Sequence, residues 1–156
     1  MKYIKPTAYI LFLFSFLFSI TACEKDTNKK VQSEFTVSNV VMNSAQETPA
    51  NASTATGNLN YSYTRETHIL SYNFSWTGLT GVPVAMHIHG LAPKGFAASV
   101  FQTFTGFKSA TAGSYTGTLL IDGVSIKEQD LLNGLYYVNI HTAANPGGEI
   151  RGQISF

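Results

Sequence analysis

Residues 70–77 read Leu70-Ser71-Tyr72-Asn73-Phe74-Ser75-Trp76-Thr77, a strict alternation of large apolar side chains with small polar ones. Successive side chains of an extended chain point to opposite faces, so this period of two predicts a strand with one buried face and one wet face. The same period recurs on both sides. Leu59, Tyr61 and Tyr63 alternate with Asn60, Ser62 and Thr64, while Phe35, Val37 and Val40 mark an earlier strand, and Ser114 to Ile121 a later one ending at Asp122-Gly123. After the Gly78-Leu79-Thr80-Gly81 turn, Pro83 opens a strand carrying Met86-His87-Ile88-His89-Gly90. The last two strands, Leu135 to Thr142 and Glu149 to Phe156, flank Ala143-Ala144-Asn145-Pro146-Gly147-Gly148, where a proline and two glycines force a loop. Residues 43–56, rich in Ala, Asn, Ser and Thr, are expected to form a loop or irregular edge. One short helix is expected behind Ser125-Ile126-Lys127-Glu128, which has the form of a capping box, with Asn133-Gly134 as its left-handed stop. Short strands separated by turn residues throughout 34–156 predict an all-β domain: a Greek-key β-sandwich with one short helix.

The front of the chain reads differently. Only 12% of the 156 residues are charged, against about 25% in an average soluble domain. Part of that deficit lies in residues 1–22, where Lys2 and Lys5 precede the uncharged run from Tyr9 to Ile20. That run is shorter than the roughly 20 residues a membrane-spanning helix requires, and it suits the apolar core of a signal peptide. Ile20-Thr21-Ala22-Cys23 resembles a bacterial lipobox, which implies that Cys23 is lipidated and becomes the first residue after cleavage. Residues 1–22 are therefore expected to be a lipoprotein signal peptide, 23–33 a polar tether and 34–156 the folded domain. The expected location is the cell envelope, lipid-anchored, at the outer membrane or cell surface if the cell is Gram-negative. Glu24 and Asp26, just behind the cysteine, are similar to the export signal of surface lipoproteins.

Charge and cysteine content exclude several functions. A net charge of +1 without a basic cluster argues against nucleic-acid binding. A single cysteine excludes a disulfide within the chain and a thiolate zinc cluster. No serine lies in a nucleophile elbow and no glycine-rich loop has phosphate-binding form, so the chain leans away from catalysis.

The histidines are the residues with chemistry to offer. Parity puts Val84, Met86 and Ile88 on the core face of their strand and His87 and His89 on the other. In the next strand Tyr136, Val138 and Ile140 face the core, leaving Tyr137, Asn139 and His141 opposite. In the last, Ile150, Ile154 and Phe156 are expected to be buried and Glu149, Arg151 and Gln153 to turn outward. If these strands are neighbours, one face collects His87, His89, Asn139, His141, Glu149 and Arg151. Alternate residues on a strand stand about 6.5 Å apart, so a His-x-His pair plus a third histidine can hold one zinc or copper ion. Asn139 or Glu149 would orient a ring, and Arg151 would contact an anion. The competing reading is structural, with the histidines hydrogen-bonded to Asn139, Glu149 or backbone carbonyls. His68, at the edge of the strand opened by Leu70, reads as structural.

His87 to Gly90, the strand Tyr136 to Thr142, and Pro146 to Ile154 together resemble the signature of the CHRD domain. The weaker features Gln46-Glu47-Thr48-Pro49, Gly57 and Leu131 to Gly134 agree with it. The resemblance spans roughly Glu34 to Phe156, and Leu91-Ala92-Pro93 departs from the Pro-Ala that commonly follows the histidine motif. It implies a membrane-tethered CHRD-domain lipoprotein working as an interaction module toward a protein or glycan partner. More distantly, the histidine pattern is similar to the copper half of copper-zinc superoxide dismutase, a Greek-key barrel, which implies copper-type ligands at His87, His89 and His141. The bridging histidine, zinc ligands and disulfide of that enzyme are absent from this sequence.

Overall fold

The alternating segments pair into eight strands. In this computed structural model, which describes Tyr3 and residues 32–156, they are β1 (Glu34–Asn43), β2 (Thr56–Thr64), β3 (Ile69–Thr77), β4 (Pro83–Gly90), β5 (Val100–Thr103), β6 (Gly113–Leu120), β7 (Tyr136–Thr142) and β8 (Ile150–Ile154). A single helix, α1 (Glu128–Leu132), and a 3-10 turn at Ser44–Gln46 complete the described elements. The signal-peptide segment, Cys23 and the tether up to residue 31 lie outside the described residues. Gln32 and Ser33 are held by Arg65, whose Nη1 donates to Gln32 O at 2.6 Å and whose backbone N–H donates to Ser33 O at 2.8 Å.

The strands form one antiparallel sheet in the order β5-β4-β7-β8-β1-β2-β3-β6. Its two edges approach each other. Gln102 of β5 donates to Thr118 O of β6 at 3.1 Å and accepts from the Tyr72 hydroxyl of β3 at 3.0 Å. Phe104 packs behind it on Tyr115, Phe74 and Tyr72. The sheet is thus an all-β, nearly closed barrel, and edges brought together in this way are shielded from pairing with other chains.

The aromatic alternation supplies the core. Leu70, Tyr72, Phe74 and Trp76 are all buried, as are Leu59, Tyr61 and Tyr63 opposite them on β2. The polar tips of these rings find acceptors, as buried donors must: Trp76 Nε1 donates to Ala110 O at 3.0 Å and the Tyr61 hydroxyl to Ser155 O at 2.6 Å.

Three local expectations are corrected. The capping box does not form, because Lys127 is the N-cap residue and makes no side-chain cap bond. Glu128 instead pairs with Arg65 at 2.6 Å and accepts from the Tyr63 hydroxyl at 2.9 Å, while Asp122 Oδ1 accepts from the N–H groups of Val124 and Ile126. Val84 is exposed, not core, because the β4–β7 register shifts between Pro83 and Ala85, where a bulge breaks parity. Phe156 is only partly buried, packed on Phe35 and Tyr61. Strand β5 carries no alternation that a sequence could reveal, since three of its four residues are exposed. The helix stop matches expectation, with Gly134 at φ 72° and its N–H donating to Leu131 O at 3.0 Å.

Candidate functional site

Sheet register sets the site. His87 lies opposite Asn139, Asn139 opposite Arg151 and Arg151 opposite Asn43, a polar row across β4, β7, β8 and β1. One step along, His89 lies opposite Tyr137 and Tyr137 opposite Gln153, while His141 faces Ala85. Met86, Ile88, Val138 and Ile140 fill the core on the other side and are fully buried.

The outward turn of Arg151 and Gln153 does not lead into solvent. Residues 91–99 fold over this face, and Arg151 donates to Phe96 O at 2.8 Å and Pro93 O at 3.4 Å. Gln153 Nε2 donates to Ala92 O at 3.1 Å, and the Tyr137 hydroxyl accepts from the Ala98 N–H at 3.2 Å. In consequence Arg151 is 1% exposed, Asn139 2%, His89 8% and His141 9%. The Nη groups of Arg151 are taken by backbone carbonyls and by Gln153 Oε1 at 2.6 Å, while its Nε is buried without a hydrogen-bond partner.

The three histidines meet. Each offers a ring nitrogen such that these atoms lie within 4.8 Å of one another. His87 Nδ1 is 3.1 Å from His141 Nε2, and His141 Nε2 is 3.0 Å from Asn139 Oδ1. The remaining nitrogens define tautomers, because a carbonyl only accepts: Nδ1 of His89 must carry the hydrogen it gives to Ala98 O at 2.9 Å, and Nδ1 of His141 the one it gives to Pro146 O at 2.9 Å. Both Nε2 atoms therefore turn a lone pair inward. That of His89 is buried without a hydrogen-bond partner. Burial pushes the His87 ring down to about 4, with the neighbouring His141 and His89 adding to the effect. Burial also lowers His89 and His141, against hydrogen bonds from Ala98 and Pro146 that act the other way. All three are held neutral, the form that binds metal.

Glu149 is not part of this group. It precedes β8 and accepts from the Thr80 N–H and hydroxyl, both at 2.8 Å, from Ser53 Oγ at 2.7 Å and from Thr142 Oγ1. Burial alone would raise its carboxyl, but these bonds outweigh it and hold it below the usual range. Glu149 thus ties two loops to the end of β7 and orients no imidazole. His68 sits apart in the β2–β3 turn at φ 56°, with its Nδ1 3.4 Å from the Tyr63 hydroxyl.

Two residues at the site are not among the candidate site residues: parity puts Tyr137 on this face, and Glu47 enters only through the family resemblance. Tyr137 stacks on His89, and Glu47, in a loop without periodicity, brings a buried carboxyl up to Gly148. Burial pushes Glu47 up to about 7, against the opposing charge of Arg151.

The described residues thus form a nearly closed antiparallel β-barrel domain with three histidines gathered on its outer face. The CHRD domain model matches residues 38–154, and the chain belongs to the CHRD domain family. No curated protein and no solved structure matches it.

Proposed function

We propose that this chain is a CHRD-domain lipoprotein, tethered to a membrane of the cell envelope through lipid on Cys23, and that it works as a non-catalytic binding module whose centre takes one copper or zinc ion at His87, His89 and His141. The observation that carries the metal reading is the inward Nε2 of both His89 and His141, fixed by carbonyls at Ala98 and Pro146, with the three ring nitrogens within 4.8 Å. Metal-binding histidines generally give their second N–H to such an acceptor. A purely structural cluster would leave His89 Nε2 buried and unpaired. The lipid anchor is supported by Lys2 and Lys5, the apolar run and Ile20-Thr21-Ala22-Cys23. The interaction role, toward a protein or glycan, is supported by family membership alone.

Titration of the metal-free chain with Zn(II) or Cu(II) tests the centre. One saturable ion per chain is expected, with affinity falling sharply in each of His87→Ala, His89→Ala and His141→Ala but not in His68→Ala. Absence of saturable binding would remove the metal reading. Cell fractionation tests the anchor, since Cys23→Ser should leave the membrane fraction.

A further inference from the structure

The three histidines do not account for every donor that faces their centre. We propose that the side-chain oxygen of Asn139 is a fourth donor, and that it makes this a centre for a divalent ion, Zn(II) or Cu(II), in preference to Cu(I). The proposal rests on the metal reading above and extends it to a residue on the same face.

Hydrogen counting carries the argument. The Nδ1 hydrogens of His89 and His141 are spent on Ala98 O and Pro146 O, which leaves both Nε2 atoms as acceptors. His141 Nε2 nonetheless has two polar neighbours at bonding distance, Asn139 Oδ1 at 3.0 Å and His87 Nδ1 at 3.1 Å. The amide oxygen has no hydrogen to give, and His87 Nδ1 has at most one. His89 Nε2 is buried without any hydrogen-bond partner. Four acceptor atoms thus share at most one hydrogen at a largely buried site, where unpaired lone pairs are unfavourable. A cation among them satisfies all four.

Spacing agrees. Donors about 2.0–2.1 Å from a tetrahedral ion stand about 3.3 Å from one another, close to the 3.0 Å and 3.1 Å already present. The amide is also held in place. Asn139 is 2% exposed, with its Oδ1 3.0 Å from His141 Nε2. Three imidazoles and an amide oxygen, with no sulfur, form a donor set suited to divalent ions, whereas soft sulfur ligands select Cu(I).

The test is competition titration of the full chain with Zn(II) in the parent, Asn139→Ala and Asn139→Asp, together with visible spectra of the Co(II)-loaded proteins. Unfolding midpoints without metal report whether each variant folds. Asn139→Ala should weaken Zn(II) by about 10- to 100-fold. Asn139→Asp, which keeps an oxygen and adds charge, should bind more tightly than the parent, and its Co(II) bands should move, which charge at a distance would not cause. If Asn139→Ala fails to fold, Asn139→Asp decides alone. Parent-like affinity and Co(II) bands in the Asp variant overturn the fourth-donor assignment while leaving the three-histidine site standing. Failure of the parent to bind Zn(II) overturns both.

Discussion

Tyr137 and His89 lie face to face, their ring centroids 4.8 Å apart and their planes 3° from parallel. Strand β7 runs between β4 and β8, so Tyr137 meets His89 on one side and, on the other, the Arg151 guanidinium 3.4 Å from its ring centre. Stacks of this kind, cation on ring on ring, add attraction beyond buried area and fix ring orientation. The Tyr137 hydroxyl also accepts the Ala98 N–H, and Ala98 O in turn accepts from His89. One tyrosine therefore holds both the ring and the loop that covers it.

Tyr137→Phe keeps the stack and removes the hydroxyl. Leaving the Ala98 N–H unpaired should cost about 1–3 kcal/mol, read as a lower unfolding midpoint with metal affinity little changed. Tyr137→Ala removes the stack as well and should cost about 3–5 kcal/mol. It should also weaken metal binding, because His89 loses its orientation. Equal effects of the two variants on affinity would contradict this division of roles.

Metal affinity should resist acid further than ordinary histidines allow. Protons compete only with neutral rings, and burial holds His87 down at about 4, below the 6.5 of a free imidazole. Affinity measured from pH 8 downward should stay nearly level through pH 6.5 and fall as the pH approaches 4. A tenfold loss per pH unit beginning already at pH 6.5 would show that the rings are not held neutral.

Stability of the metal-free chain should show two opposed pH dependences. His87 titrates at about 4 when folded and near 6.5 when unfolded, so between these values the unfolded chain binds more protons and stability is lost as pH falls. Glu47 titrates at about 7 when folded and near 4.5 when unfolded, so the folded chain binds more protons over that interval and stability is lost as pH rises. Glu47→Gln removes the second dependence. Relative to the parent, it should be more favourable at pH 8 than at pH 5 in denaturant unfolding. A difference that does not vary with pH would refute the assignment.

Trp76 tests the strand pattern itself. It is buried against Phe74 and its Nε1 donates to Ala110 O, so Trp76→Ala should destabilise by about 3–5 kcal/mol, measured by denaturant midpoint.

The period-two patterns at Leu59 to Thr64 and Leu70 to Thr77 determined by themselves that the chain is all-β and which residues enter its core, because a strand has only two faces and water accepts only one kind of side chain. The same parity separated His87, His89 and His141 from the core. Parity says which face a residue takes and nothing about what lies over that face. Burial of Arg151 and Gln153 was decided by residues 91–99 folding onto them, and that contact has no local period. The diversion of Glu149 to Thr80, Ser53 and Thr142 depended on loops about 70 and 96 residues away in the chain. Glu47, in a stretch without alternation, lies against Gly148, about 100 residues further along the chain, and β1 pairs with β8 at Asn43 and Arg151. Strand formation is governed by neighbours in sequence, and this chain states those openly. The protonation and partners of its histidines are governed by neighbours in space, which only the closed sheet and its covering loop supply.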